Sequence, residues 1–423
     1  MATIFGSGHF TILPSGDLYA CRRMKSKVGN IFNKDKSLYE YWTSQEMNEY
    51  RKWNDFEKCS KCELLRFCRG CSAVSYGYTH NIYSGDPRVL EGDKLKMKAV
   101  KLYKSCDAKD IKIEEVEIPR AKENWVVVKI MAFGMNHSEA LFRKFEIDND
   151  YFEKPRVPGI ECVGIIEESL DNNFKKGDRV IALMGGMGRS FDGSYQEYAL
   201  LPIKNVFKVN NTKLDWIHLA AIPETYFTAY GSLFQSLQLK ENESLLVRGG
   251  TSALGIASII MAKNLGCRVV ATTTDENKIE YLQYLGVDKV IVDKNNFKEQ
   301  MNEKVDKILE LVGARTLLES MNFLNEGGIC CHTGLLGGVF ELNHFDPIKD
   351  IPNGTYLTGF YSNYPSQEII DEMIDFINTY SIQPELGNVY SFDDIVIASE
   401  DLEFGRTNGK AVVVVDEELK KTL

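Results

Sequence analysis

The stretch ESLLVRGGTSALGIASIIMAKNLGCRVVATTT, residues 243–274, constrains this chain more than any other. An apolar strand runs into Gly249-Gly250-Thr251-Ser252-Ala253-Leu254-Gly255. An amphipathic helix and a second apolar strand follow. Small residues at such a turn let the backbone approach a pyrophosphate, and the helix N-terminus offers unpaired N–H groups and positive dipole. The strand–turn–helix–strand context assigns Gly249, Gly250, Thr251, Ser252, Leu254 and Gly255 to a dinucleotide. It also implies a parallel sheet with helical crossovers. The second strand ends in VVATTTDENK. An acidic residue directly at its end would hold both ribose hydroxyls of NAD. Thr272, Thr273 and Thr274 stand there instead, with Asp275 after them and Lys278 beyond. Hydroxyls beside a cation suit a 2′-phosphate, so NADPH is expected over NADH.

The rest of the chain sorts around this unit. Its 423 residues allow two to four domains. Residues 1–92 are aromatic, turn-rich and carry a formal charge of +3, whereas the remainder carries −13. From Met97 to about Val209 short strands such as NWVVVKIMAF, ECVGIIEES and DRVIALM predominate. Between about 220 and 352 strands alternate with helices, and the tail returns to strands and a helix, ending in GKAVVVVDEE. The expected fold is α/β. A cysteine-rich module (1–92) precedes a β-rich catalytic domain (93–219), a doubly wound nucleotide-binding domain (220–352) and a return to the catalytic domain (353–423). The net charge of −10 argues against nucleic acid as a partner. No apolar run reaches the roughly 18 residues of a membrane span. The N-terminus shows no basic region followed by an apolar core, so a cytoplasmic location is expected.

The runs AFGMNHSEALFRK, PGIECVGIIEE, FKKGDRVIALMGGMGRSFDGSYQEYALLP and AAIPETYFTAYGSLF, together with the glycine-rich turn, resemble the quinone-oxidoreductase and enoyl-reductase branch of the medium-chain dehydrogenase/reductase family. The resemblance implies a GroES-like catalytic domain interrupted by a Rossmann domain, a cleft active site between them, and a homodimer. Zinc-dependent members place a Cys at Asn136 and a His at Ile160, and their four-cysteine lobe is replaced here by MGGMGRSFDGS. Asparagine is a poor zinc ligand and isoleucine none, so no catalytic zinc is expected. Without a Lewis acid, hydride transfer to an already activated double bond fits best. The resemblance implies catalytic roles for Asn136, Arg143 and Glu161. It implies contacts of Thr228, Gly334 and Leu335 with the cofactor.

Residues 8–89 carry a second resemblance. Gly16-x4-Cys21 within PSGDLYAC, followed by Cys59-x2-Cys62-x5-Cys68-x2-Cys71, resembles the SPASM domain, an auxiliary iron–sulfur module of peptide-maturing radical enzymes. Closely spaced thiolates bind iron–sulfur clusters or zinc. Cys21, Cys59, Cys62, Cys68 and Cys71 are therefore the metal candidates, enough for one complete site. The family's closing cysteine is replaced by Val89, and no Cys-x3-Cys-x2-Cys for S-adenosylmethionine occurs. The substrate is then a small molecule or a modified peptide, for example a dehydroamino acid. The alternative is a catalytically idle protein that binds a peptide or a partner enzyme.

Overall fold

The computed structural model describes residues 11–21, 26–52, 96–407 and 409–422. The chain divides into two compact units, residues 1–96 and 97–423. The described part of the first unit begins with strands β1 (Thr11–Ile12), β2 (Asp17–Tyr19) and β3 (Lys27–Asn30), which form an antiparallel sheet. Gly16 closes the β1–β2 turn at φ 78°, where a side chain would strike the Phe32 ring. Two short helices follow, Leu38–Trp42 and Gln45–Glu49. The hydroxyls of Ser37 and Ser44 cap their first turns.

The second unit opens with β4 (Lys96–Val100) and β5 (Ile113–Glu117), a two-stranded ribbon. Its main sheet contains β6 (Trp125–Gly134), β7 (Glu161–Glu168), β8 (Arg179–Leu183), β9 (Tyr198–Pro202) and β10 (Val206–Lys208). The nucleotide-binding sheet follows: β11 (Ser244–Arg248), β12 (Arg268–Thr273), β13 (Lys289–Val292), β14 (Val305–Glu310), β15 (Leu324–His332) and β16 (Tyr356–Gly359). All six strands are parallel, in the order β13-β12-β11-β14-β15-β16. The strand order reverses beside β11, the switch point where ligands bind α/β sheets. Because β16 pairs with β15, the nucleotide domain runs past residue 352, beyond the boundary expected from the sequence.

The tail then returns to the main sheet. Strands β17 (Leu386–Ser391) and β18 (Lys410–Val414) extend it, and β18 lies antiparallel to β6 with Val412 opposite Gly134. This pairing brings the last strand of the chain to the base of the cleft. One apolar cluster spans both sheets, from Val163 and Leu183 to Val247 and Leu309.

Candidate active site

A cleft of about 780 Å³ lies between the two sheets, lined among others by Asn136, His137, Glu224, Thr225, Thr251, Ser252, Leu254, Lys278, Gly334 and Leu335. An adjoining hollow of about 850 Å³ shares Thr251, Ser252 and Leu336 with it and extends over Gly249, Thr272, Thr273, Thr274 and Arg315. The glycine-rich turn bridges the two. Gly249 sits at φ 95°. A side chain on Gly255 would come within 2.5 Å of the Gly249 carbonyl oxygen. Strand and helix thus touch through bare backbone, the close packing that a dinucleotide turn requires. The Ser252 hydroxyl accepts from Gly255 N at 3.0 Å, capping the helix Ala253–Asn264, and donates to the Gly249 carbonyl at 2.9 Å. These residues fit a pyrophosphate cradle.

The threonines divide their labour. The Thr272 hydroxyl accepts from Gly249 N at 3.0 Å and so braces the turn. The Thr273 hydroxyl is engaged with the backbone of Asp275. Both side chains are buried, and Thr274 alone of the three is exposed. The expected trio of phosphate-binding hydroxyls therefore reduces to Thr274, with Lys278 on the cleft wall.

Asn136 follows the end of β6 and caps the helix His137–Leu141. Its side-chain amide donates to Glu161 Oε1 at 2.7 Å, and its amide oxygen accepts from Lys410 Nζ at 2.7 Å. The Lys410 ammonium also bonds Glu161 Oε1 at 2.5 Å. Glu161 is 0% exposed and Lys410 3%. Gly134 makes the room, since a side chain there would meet Lys410 Cε at 2.5 Å and Glu161 Oε1 at 2.6 Å. Two more carboxyls flank this pair. Glu139 accepts from the backbone N–H of Asn136 and of Ile160, and Glu161 Oε2 accepts from Glu224 N at 2.7 Å. One ammonium cannot balance three carboxylates, two of them buried and the third half-buried. Burial pushes Glu139 up to about 7 and also raises Glu224, with Lys410 opposing both.

Three expected site residues have other tasks. Glu161 does not reach the cleft; it holds Asn136 from behind. Arg143 is buried, ion-pairs with Glu403 and donates to the Cys106 carbonyl, because the helical register turns it inward. Thr228 is buried and donates to Glu224 Oε1 at 2.9 Å, so it supports the cleft wall that Glu224 and Thr225 line. Lys410, Glu139 and Glu224 had no assigned role in the sequence reading. The one signal for Lys410 was a lysine heading the apolar run GKAVVVV. Cys21 is half-buried just after β2, and Cys59, Cys62, Cys68 and Cys71 lie outside the described residues.

Comparison with known proteins agrees with this geometry. Residues 122–211 match the alcohol dehydrogenase GroES-like domain, and residues 253–379 match the zinc-binding dehydrogenase domain. Residues 4–63 match SPASM, an iron–sulfur cluster-binding domain. The chain joins a SPASM domain to a medium-chain dehydrogenase/reductase. Its reductase unit is similar to human quinone oxidoreductase, 28% identical over 340 residues that cover 77% of this chain and 99% of that protein. It is 25% identical to a squalestatin tetraketide synthase of Cochliobolus lunatus over 316 residues, 70% of this chain but 12% of the synthase. Among solved structures, AibC aligns at TM-score 0.67 and 23% identity over 77% of this chain and 97% of its own. The Coxiella burnetii quinone oxidoreductase aligns at 0.64 and 21% over 76% of this chain and 100% of its own. The reductase unit is thus an oxidoreductase of the quinone-oxidoreductase and enoyl-reductase type.

Proposed function

We propose that the protein uses NADPH to reduce an activated carbon–carbon double bond or a quinone, without catalytic zinc. The carrying observation is the buried Lys410 ammonium behind the Asn136 that lines the cleft, bonded to both Asn136 and Glu161. It occupies the oxygens a metal would need and supplies fixed positive charge in its place. Among the described residues no group of three or more His, Cys, Asp and Glu side chains is arranged to hold a metal ion. NADPH rather than NADH is supported by Thr274 and Lys278 at the cleft, where no acidic residue directly ends β12. A mycobacterial protein of the same fold, solved with NADPH, aligns at TM-score 0.63 and 22% identity.

When bound, NADPH supplies hydride to the electron-poor carbon. Asn136, fixed by Glu161 and Lys410, orients the reacting group, and Leu254, Leu335 and Leu336 keep that part of the cleft apolar. The SPASM fusion favours a dehydroamino acid within a modified peptide as the substrate, with a metal bound by the N-terminal cysteines. Two copies would pair along the free edge of β16, which light scattering tests.

The direct test incubates purified protein with NADPH, a chelator, and either a quinone, an enone or a dehydroalanine-containing peptide. NADPH oxidation and a gain of two hydrogens by the acceptor are expected. Turnover that appears only on adding zinc would sink the zinc-free reading. No turnover with any acceptor would sink the reductase reading.

A further inference from the structure

Hydride transfer leaves an electron pair on the neighbouring atom, and a proton must meet it. Of the groups lining the cleft, Asp275, Lys278 and Tyr281 follow β12, on the dinucleotide side. His137 is exposed on the first turn of its helix. Glu224 is half-buried and lines the cleft together with Asn136. We propose, resting on the reductase reading above, that the Glu224 carboxyl is the general acid that delivers this proton.

The geometry holds that carboxyl in place. Glu224 stands in the first turn of helix Pro223–Tyr230, whose start is tied down by the bond from Glu224 N to Glu161 Oε2 at 2.7 Å. Thr228 Oγ1 donates to Oε1 at 2.9 Å, four residues along the same helix. Oε2 makes no hydrogen bond among the described residues and is the atom left to carry a proton. The charges acting on the carboxyl are Glu161 on β7 and Lys410 on β18; Glu139, on the helix after β6, is coupled to the same two, and His137 on that helix lines the same cleft. Lys410 is already shared with Glu161, so Glu224 has no cation of its own. Burial and the nearby Glu161 charge raise its pKa, which favours the acid form.

In the step itself the Glu224 O–H bond breaks. A C–H bond forms on the carbon next to the hydride-bearing one, or an O–H bond on a quinone oxygen. The carboxylate left behind is stabilised by the Lys410 charge and regains its proton from water entering the cleft.

Glu224→Gln tests this, because glutamine still accepts from Thr228 but yields no proton. An infrared pH titration of the apo protein should lose one carboxyl component in Glu224→Gln, a component that protonates above the free-glutamate range and is distinct from that of Glu139. In turnover, kcat should drop by about 10²–10⁴-fold, with NADPH affinity by fluorescence and KM within about twofold. Wild-type kcat should fall as pH rises through the Glu224 pKa, and that limb should be missing in the variant. Glu224→Asp, which keeps an acid one methylene back, should recover part of the rate. An active wild type with an equally active Glu224→Gln overturns the proposal alone. A limb that persists in Glu224→Gln and vanishes in His137→Gln also overturns it, and moves the role to His137. A wild type that reduces no activated alkene or quinone overturns the reductase reading and this step with it.

Discussion

The described core of the N-terminal unit consists of Leu18, Ala20, Val28, Tyr41 and Met47, under a three-stranded sheet of very short strands. The reductase unit carries three larger apolar clusters, one of them spanning both of its sheets. Those five side chains alone cannot offset the ordering entropy of the described segment, so a cross-link or the proposed metal would have to add to them. The reductase unit needs neither. Of its five cysteines, Cys162, Cys267, Cys330 and Cys331 are buried in the apolar clusters and Cys106 packs half-buried against one of them. The five N-terminal cysteines are spaced for ligation. On the proposed metal reading the same residue type does opposite work in the two units, and stability should separate along that line.

The largest expected effect follows from removing the N-terminal metal. Replacing Cys59 and Cys62 with serine, or stripping the metal with a chelator, should unfold the first unit. Structural metal sites in small domains supply about 10–16 kcal/mol of apparent binding energy. Calorimetry should show the reductase transition unmoved, and limited proteolysis should remove the first unit only. A single transition that shifts as a whole would break the contrast, since the larger unit would then lean on the smaller.

Next comes Lys410→Met, the converse experiment inside the reductase unit. It strands Glu161, which is 0% exposed, without its cation. Removing one partner of a buried pair costs about 3–5 kcal/mol. The urea midpoint of the reductase unit should fall accordingly while the metal content of the first unit stays constant. An unchanged midpoint would show that the two neighbouring carboxyls already hold the cluster neutral by protonation.

These residues also show how far the sequence could be read. The dinucleotide turn was legible because every contact it needs is local: Gly249, Ser252 and Gly255 meet within one loop and one helical turn. Asn136 was legible through its motif. Its anchor was not, because Lys410 lies 274 residues away and arrives only when β18 pairs with β6. Arg143 misled for a related reason. A cation inside a motif reads as part of the site, yet its partner Glu403 is supplied by a distant helix. All three threonines line the hollow, but the hydroxyls of Thr272 and Thr273 are taken by Gly249 N and the Asp275 backbone, partners that the sequence does not display. The nucleotide-binding sheet runs past 352 because one short strand beyond it, β16, pairs with β15.

A smaller effect is expected at Gly255. In Gly255→Ala the new methyl would sit 2.5 Å from the Gly249 carbonyl oxygen and 2.9 Å from the Gly250 backbone. Backbone cannot step aside as a side chain can, so helix and strand must separate. Overpacking of this kind costs about 1–3 kcal/mol. Part of that loss should appear as weaker NADPH binding, measured by fluorescence titration, because the same atoms belong to the proposed pyrophosphate cradle. Unchanged NADPH affinity would place the pyrophosphate elsewhere.

The last comparison separates two cofactors that differ by one phosphate. Lys278 lines the cleft and Thr274 the adjoining hollow, while the hydroxyls of Thr272 and Thr273 are already engaged. If the 2′-phosphate is held by charge, Lys278→Ala removes a charge-assisted bond of about 1.5–3 kcal/mol. NADPH affinity should drop about tenfold or more, with NADH affinity unchanged and the NADPH loss shrinking at high salt. Thr274→Val removes a neutral hydroxyl and should cost less, about 0.5–1.5 kcal/mol. Equal losses for NADPH and NADH in Lys278→Ala would mean that the lysine serves the shared pyrophosphate. Discrimination would then fall to Arg315 or Lys294, the exposed cations that line the adjoining hollow.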